Sequence, residues 1–197
     1  MKQYSPAAAR NITPIGDVLS QWLPASGLVL ELASGSGEHG LAFSARFPQL
    51  LWQPTDPDEA ARASIAAWQQ DAAAPANYLP PVMLDAAAAD WPIASADALV
   101  AINMVHISPW AATLGLFAGA ARVLSAEAPV ILYGPYWEEG VEPAPSNIAF
   151  DESLKSRNVA WGLRHVADVA AVAEAAGFHL AERRAMPANN IMLMFRR

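Results

Sequence analysis

Four polar residues close short apolar runs in this chain: Glu31 after Leu28-Val29-Leu30, Asp56 after Leu51 to Thr55, Asp85 after Val82-Met83-Leu84, and Asn103 after Ala98 to Ile102. Carboxylates and amides in such places accept hydrogen bonds from ribose hydroxyls, a purine amino group or an ammonium. Three residues past Asn103 stands His106, whose imidazole titrates near neutrality as a general base should. The same residue also reads as a loop fastener bonded to a backbone carbonyl. Tyr133 and Tyr136 flank Gly134-Pro135 and can hydrogen-bond a substrate, with Trp137 as a wall beside it. Arg157 can clamp a carboxylate or phosphate, near Trp161.

Between Glu31 and the next apolar run lies the turn Gly35-Ser36-Gly37. A strand, a glycine turn and a helix in that order place backbone N–H groups and a positive helix end beside a ligand. Gly35, Gly37 and Gly40 also satisfy the dinucleotide pattern G-x-G-x-x-G. Asp56, nineteen residues after Gly37, suits ribose hydroxyls in either kind of site. Glu31 does discriminate, because a nicotinamide site keeps that stretch apolar and a carboxylate there suits a cofactor bearing positive charge. Asp85 can accept from an adenine amino group, with Ala86 and Trp91 flanking the base. His39 serves the helix start or a contact near the cofactor's carboxylate. The expected cofactor is S-adenosylmethionine, with an NAD-dependent oxidoreductase or a non-catalytic binding module as alternatives. On this reading Gly40 is incidental.

These residues need elements to hold them. Thr13-Pro14 predicts a helix start, running to about Leu23. Strands are expected at Leu28–Leu32, Leu51–Thr55, Val82–Leu84, Ala98–Ile102 and Val130–Tyr133, with helices at Leu41–Phe47, Glu59–Gln70, from Ser108-Pro109 to about Leu124, and Val166–Ala176. Gly177 suits a left-handed helix end. Phe178–Met186 and Asn190–Phe195, joined by Pro187-Ala188-Asn189, predict an antiparallel hairpin. The alternation predicts an α/β fold: a Rossmann-like, doubly wound, mostly parallel seven-stranded sheet with a C-terminal antiparallel hairpin. One domain over 1–197 is expected, with an N-terminal cap (1–27) and a lid (134–164) containing a short helix near Asp151–Ser156.

Composition narrows the classes. The 197 residues are 54% hydrophobic and 16% charged, which argues for a packed core. A net charge of −7 argues against a nucleic-acid partner. The chain has no cysteine, which excludes disulfides and thiolate chemistry and fits a cytoplasmic protein. Residues 98–121 carry no charge, but Asn103, His106 and Ser108-Pro109 interrupt them, so buried core and no membrane association are expected. No histidine or carboxylate pair has metal-ligand spacing, so no metal is expected.

Glu31-Leu32-Ala33-Ser34-Gly35-Ser36-Gly37 resembles motif I of class I S-adenosylmethionine-dependent methyltransferases, written E/D-x-G-x-G-x-G, with Ala33 in place of the first glycine. Asp56, Asp85 and Asn103 match that family's later cofactor positions. More closely, Arg10-Asn11, Asn103 to Trp110, Phe150 to Leu154, Trp161-Gly162 and Met186 to Asn190 resemble blocks of the methyltransferase-like 26 family, or domain of unknown function 938. The resemblance implies a methyltransferase fold and in-line methyl transfer to a small molecule, whose identity it does not supply. It also suggests that Tyr4, Arg10 and Asn11 fold across the pocket mouth.

Overall fold

A computed structural model describes residues 1–71 and 73–197. The element order is α1 (Pro6–Trp22), β1 (Gly27–Leu32), α2 (Glu38–Arg46), β2 (Leu50–Pro54), α3 (Glu59–Gln69), β3 (Ala98–Ile102), α4 (Trp110–Val123), β4 (Val130–Gly134), α5 (Pro145–Arg157), α6 (Val166–Ala175), β5 (His179–Met186) and β6 (Asn190–Arg196). The sheet order is β2-β1-β3-β4-β6-β5. The first four strands are parallel and β6 runs antiparallel to both neighbours. From β1 the chain goes first to one side and later to the other, so the order reverses between β1 and β3, where ligands bind in such sheets.

Period-two alternation splits the core between the two faces of the sheet. Leu30, Leu32, Leu99, Leu132 and Leu193 pack toward Leu116 and Phe117 of α4 and Val169 of α6. Val29, Val100, Ile131 and Met192 pack toward Ile15 and Leu19 of α1, Phe43 of α2 and Ile65 of α3. Glu31 shares the parity of Val29 and therefore enters the second face, where the indole Nε1–H of Trp52 donates to its Oε2 at 3.0 Å.

Three expectations need correction. The sheet has six strands, not seven, because Val82–Leu84 forms no strand. Two isolated parallel bridges, Trp52 to Tyr78 and Thr55 to Val82, run beside β2 instead. Pro80 and Pro81 lie between them and have no N–H to continue the ladder. The Gln53 side chain takes the Pro80 carbonyl at 2.7 Å. The first helix begins at Pro6, capped by the Ser5 side chain, and runs through Pro14. Ser5-Pro6 is the same kind of start signal as Thr13-Pro14, and burial of Ile15, Val18, Leu19 and Trp22 outweighs the bond lost at Pro14. The short helix expected at 151–156 is thirteen residues long and starts at Pro145.

The segment beside β2 is anchored by Asn77, whose Nδ2 lies 2.9, 3.2 and 2.7 Å from the carbonyls of Ser44, Phe47 and Leu50. Asn77→Ala leaves three part-buried carbonyls without this donor. It is expected to cost roughly 2 kcal/mol in urea unfolding, and a loss below about 0.5 kcal/mol contradicts that accounting.

Candidate active site

A cavity of about 870 Å³ opens at the C-terminal ends of β1, β2 and β3. Glu31, Ala33, Gly35, His39, Asp56, Asp85, Ala86 and Asn103 all line it, as do Ser34, Ser36 and Asp58. Across the mouth lie Gln3, Tyr4 and Ser5 from the N-terminal segment and Asn158 and Trp161 from beyond α5.

The glycine turn is held from the side. Asp56 Oδ2 accepts the Gly35 N–H at 2.9 Å and Oδ1 accepts that of Asp58 at 2.9 Å. Burial nevertheless raises the Asp56 pKa. Glu31 is 1% exposed, and burial pushes its carboxyl up to about 7, against the opposing bonds from Trp52 and Ser34. His39 is pushed down to about 4 by burial, and its Nε2 has no protein partner, so its ring is neutral near pH 7. Four acidic side chains and, among the described residues, no lysine or arginine line the cavity.

Gly40 has a clear role. A Cβ there would stand 2.6 Å from Glu31 Oε2 and 2.8 Å from a Tyr78 ring carbon, so α2 approaches the buried carboxylate only because residue 40 has no side chain. Gly40 thus serves packing in the first turn of α2, where the sequence reading makes its match to the dinucleotide pattern a coincidence. Gly37 does not line the cavity; at φ 88° it caps α2, and its carbonyl accepts from the Tyr78 hydroxyl at 3.1 Å.

Other expected contacts lie elsewhere. His106 is fully buried and does not line the cavity, because its ring turns under β4 against Gly134. Tyr133 is buried among Ile131, Met192 and the α1 side of the core, and burial pushes its phenol up to about 12. Tyr136 and Trp137 line a separate cavity of about 230 Å³ near the hairpin, with burial raising the Tyr136 pKa. Arg10 and Asn11 sit on α1, which starts eight residues earlier than expected, and neither lines the main cavity. Arg157 ends α5 with its guanidinium 5.5 Å from the Trp161 ring. Trp91 packs under Gly119 of α4, away from the base position expected for it.

Tyr4 lies at the mouth as expected, but the hydrogen bonds that fasten its segment have no counterpart among the expected contacts. Ser5 N–H and Ser36 Oγ donate to Glu38 Oε2 at 2.6 and 2.9 Å, and Gln3 N–H donates to Ser64 Oγ at 2.8 Å. Ser64 Oγ in turn donates to the Ser36 carbonyl at 2.7 Å. Tyr4 meets Trp68 edge-on at 5.1 Å. Ser5 followed by Pro6 marks the helix start in sequence, but its partner 33 residues away is set by the tertiary fold.

Solved structures share this architecture. The mitomycin 7-O-methyltransferase MmcR superposes with a TM-score of 0.80 at 14% identity, over 97% of this chain and 55% of that one. An O-methyltransferase family protein from Burkholderia thailandensis gives 0.74 at 21%, over 97% and 57%. An O-methyltransferase family 2 protein from Planctomyces limnophilus, in complex with apigenin, gives 0.79 at 14%, over 97% and 60%. The chain thus spans somewhat more than half the length of each. The fold is that of the class I methyltransferases. The chain belongs to the family described as Protein of unknown function (DUF938), whose model matches residues 2–197. No described helix is long and apolar enough to cross a membrane.

Proposed function

We propose that this chain is an S-adenosylmethionine-dependent methyltransferase acting on a small molecule. The observation that carries the reading is the acidic character of the cavity: four acidic side chains and, among the described residues, no cationic one. A dinucleotide carries phosphate charges that such a wall repels, whereas a sulfonium with an ammonium group is attracted. The N-terminus of α2 carries Glu38 in its first turn, which meets the positive helix end without an external anion. The similar O-methyltransferase structures, one of them in complex with apigenin, support a small-molecule acceptor.

The residues fit the donor. Glu31 supplies a buried acceptor beside the turn, Asp56 and Ser34 lie where a ribose can be met, and Asp85 with Ala86 lies at the outer end for a purine. His39 offers an unpartnered buried nitrogen on the same wall. The bound donor supplies a methyl group on a positively charged sulfur. Orienting the reactants and excluding water are then the chain's main contributions. We read Tyr4 and Trp161 as the lips of the cavity, the segment 134–164 with α5 as a lid, and residues 1–27 as a cap on one domain. Of the residues expected at the mouth or against substrate, Tyr4 and Trp161 line the cavity, whereas Tyr133, Tyr136, Trp137, Arg10, Asn11 and Arg157 do not.

Isothermal titration is expected to show micromolar binding of S-adenosylmethionine or S-adenosylhomocysteine and none of NAD. Failure of both sulfur ligands at millimolar concentration overturns the proposal. Asp56→Ala is expected to weaken binding at least tenfold, since it removes a ligand-facing carboxylate and frees the glycine turn.

A further inference from the structure

The loop after β3 contains a pair, buried His106 and half-buried Asn103, that no role above uses. His106 is 0% exposed. Its ring fills the space beside Gly134, where a Cβ would stand 2.0 Å from Cε1. Tyr136 and Phe150 meet it edge-on at 6.0 and 6.1 Å. The ring makes one side-chain bond, from Nε2 to Asn103 Oδ1 at 3.2 Å, and its Nδ1 is buried without a partner.

Asn103 faces the other way, into the main cavity. Its backbone sits at φ 61°, a left-handed conformation uncommon outside glycine, and its N–H donates to the Tyr133 carbonyl at 2.8 Å. A carboxamide has an accepting oxygen and a donating nitrogen. Because Oδ1 faces the imidazole, the NH₂ is the end left for the cavity. An amide oxygen can only accept, so Nε2 carries the proton and Nδ1 the lone pair. Burial and the nearby charge of Arg164 push the His106 pKa down to about 3, so the neutral ring persists through the physiological range.

The backbone around the pair is fastened separately. The Gly162 N–H donates to the His106 carbonyl at 3.0 Å, and Arg164 reaches the Ser108 carbonyl at 3.1 Å. The imidazole is therefore not needed to hold the loop closed.

We propose that His106 is a positioning residue: its Nε2–H fixes the Asn103 carboxamide so that the NH₂ points into the cavity. There it selects a bound molecule with a hydrogen-bond-accepting oxygen or nitrogen at that point. A neutral, fully buried ring that leaves the cavity wall to Asn103 acts through that amide and not on the reacting atoms.

The test has two arms, and only the second rests on the methyl-donor reading. In the first, ¹⁵N NMR of the ligand-free protein is expected to show His106 neutral and protonated at Nε2 from pH 5 to 8. The Asn103 side-chain NH₂ signals, identified by their loss in N103A, are expected to shift in H106L and to return toward the wild-type position in H106Q. In the second, affinity for S-adenosylhomocysteine is expected to fall about tenfold in N103A and in H106L. The double variant is expected to bind no more weakly than N103A, the mark of one residue acting through the other. N103D keeps the acceptor for His106 but replaces the donating end, so it is expected to lose at least as much affinity as N103A while keeping the Nε2–H signature. If H106L does not fold, H106Q and N103D carry both arms.

A proton on Nδ1, Asn103 signals indifferent to His106 substitution, or additive losses overturn the assignment. A wild-type chain that binds no S-adenosylhomocysteine counts against the methyl-donor reading instead, and the NMR arm then decides this one.

Discussion

Glu31→Gln is expected to stabilise the ligand-free protein above pH 7 while weakening the binding of S-adenosylmethionine roughly 10- to 100-fold. The opposed signs follow from one fact. Burial raises the Glu31 pKa from 4.5 to about 7. Between these values the native state holds a proton that the unfolded chain has released, so this residue's contribution to stability falls as pH rises from about 4.5 to about 7. Above 7 the deficit is constant, on the order of 3 kcal/mol. Glutamine keeps an oxygen for the Trp52 indole, at 3.0 Å in the wild type, and carries no charge to desolvate.

The wild-type profile alone does not isolate this residue. His39 and His106, pushed down to about 4 and about 3, bind fewer protons when folded. They add stability as pH rises toward 6.5, against the trend of Glu31. The quantity to measure is the difference between variant and wild type in urea unfolding from pH 5 to 8. It is expected to grow up to about pH 7 and then level off. A difference that does not change with pH would falsify the assignment of a buried, proton-holding Glu31. Stability gained with affinity unchanged would show instead that Glu31 plays no part in holding the donor.

Gly115→Ala is the second change with a large expected effect, and its sign opposes helix propensity. Within an exposed helix the substitution gains about 1 kcal/mol. In α4 the new Cβ would stand 2.0 Å from the Ala86 carbonyl oxygen and 2.7 Å from the Ala87 Cα. Backbone cannot swing aside as a side-chain tip can. Either α4 or the turn at Asp85 must move, and that turn is held by the Ala87 N–H on Asp85 Oδ1 at 2.9 Å. A net loss of about 2 kcal/mol is expected, in the range for an overpacked core. Because Asp85 and Ala86 line the cavity, affinity for S-adenosylhomocysteine is expected to fall several-fold in the fraction that remains folded. An alanine variant as stable as the wild type would refute the close approach.

Most strands and helices were legible because their signals are local. Ala98–Ile102 is an uninterrupted apolar run and forms β3 with those bounds. Where two start signals compete, locality fails: Ser5-Pro6 and Thr13-Pro14 look equivalent until burial of the α1 face chooses the first. The run Val82–Leu84 reads as a strand, yet the edge ladder it would join is interrupted by Pro80 and Pro81. The polar residues ending β1, β2 and β3 converge on one cavity because parallel strands in register bring their C-terminal ends to one edge.

By itself the sequence determined the alternating architecture, the acidic residue before the glycine turn, and the edge of the sheet at which chemistry would gather. Each of these follows from spacing along the chain. Only the tertiary structure decided which way His106 turns, why Gly40 and Gly115 lack side chains, and that no cation reaches the cavity. These depend on approaches between residues 9 to 29 positions apart: Glu31 and Gly40, Ala86 and Gly115, His106 and Gly134. Steric exclusion and desolvation act across such gaps, and no local pattern records them.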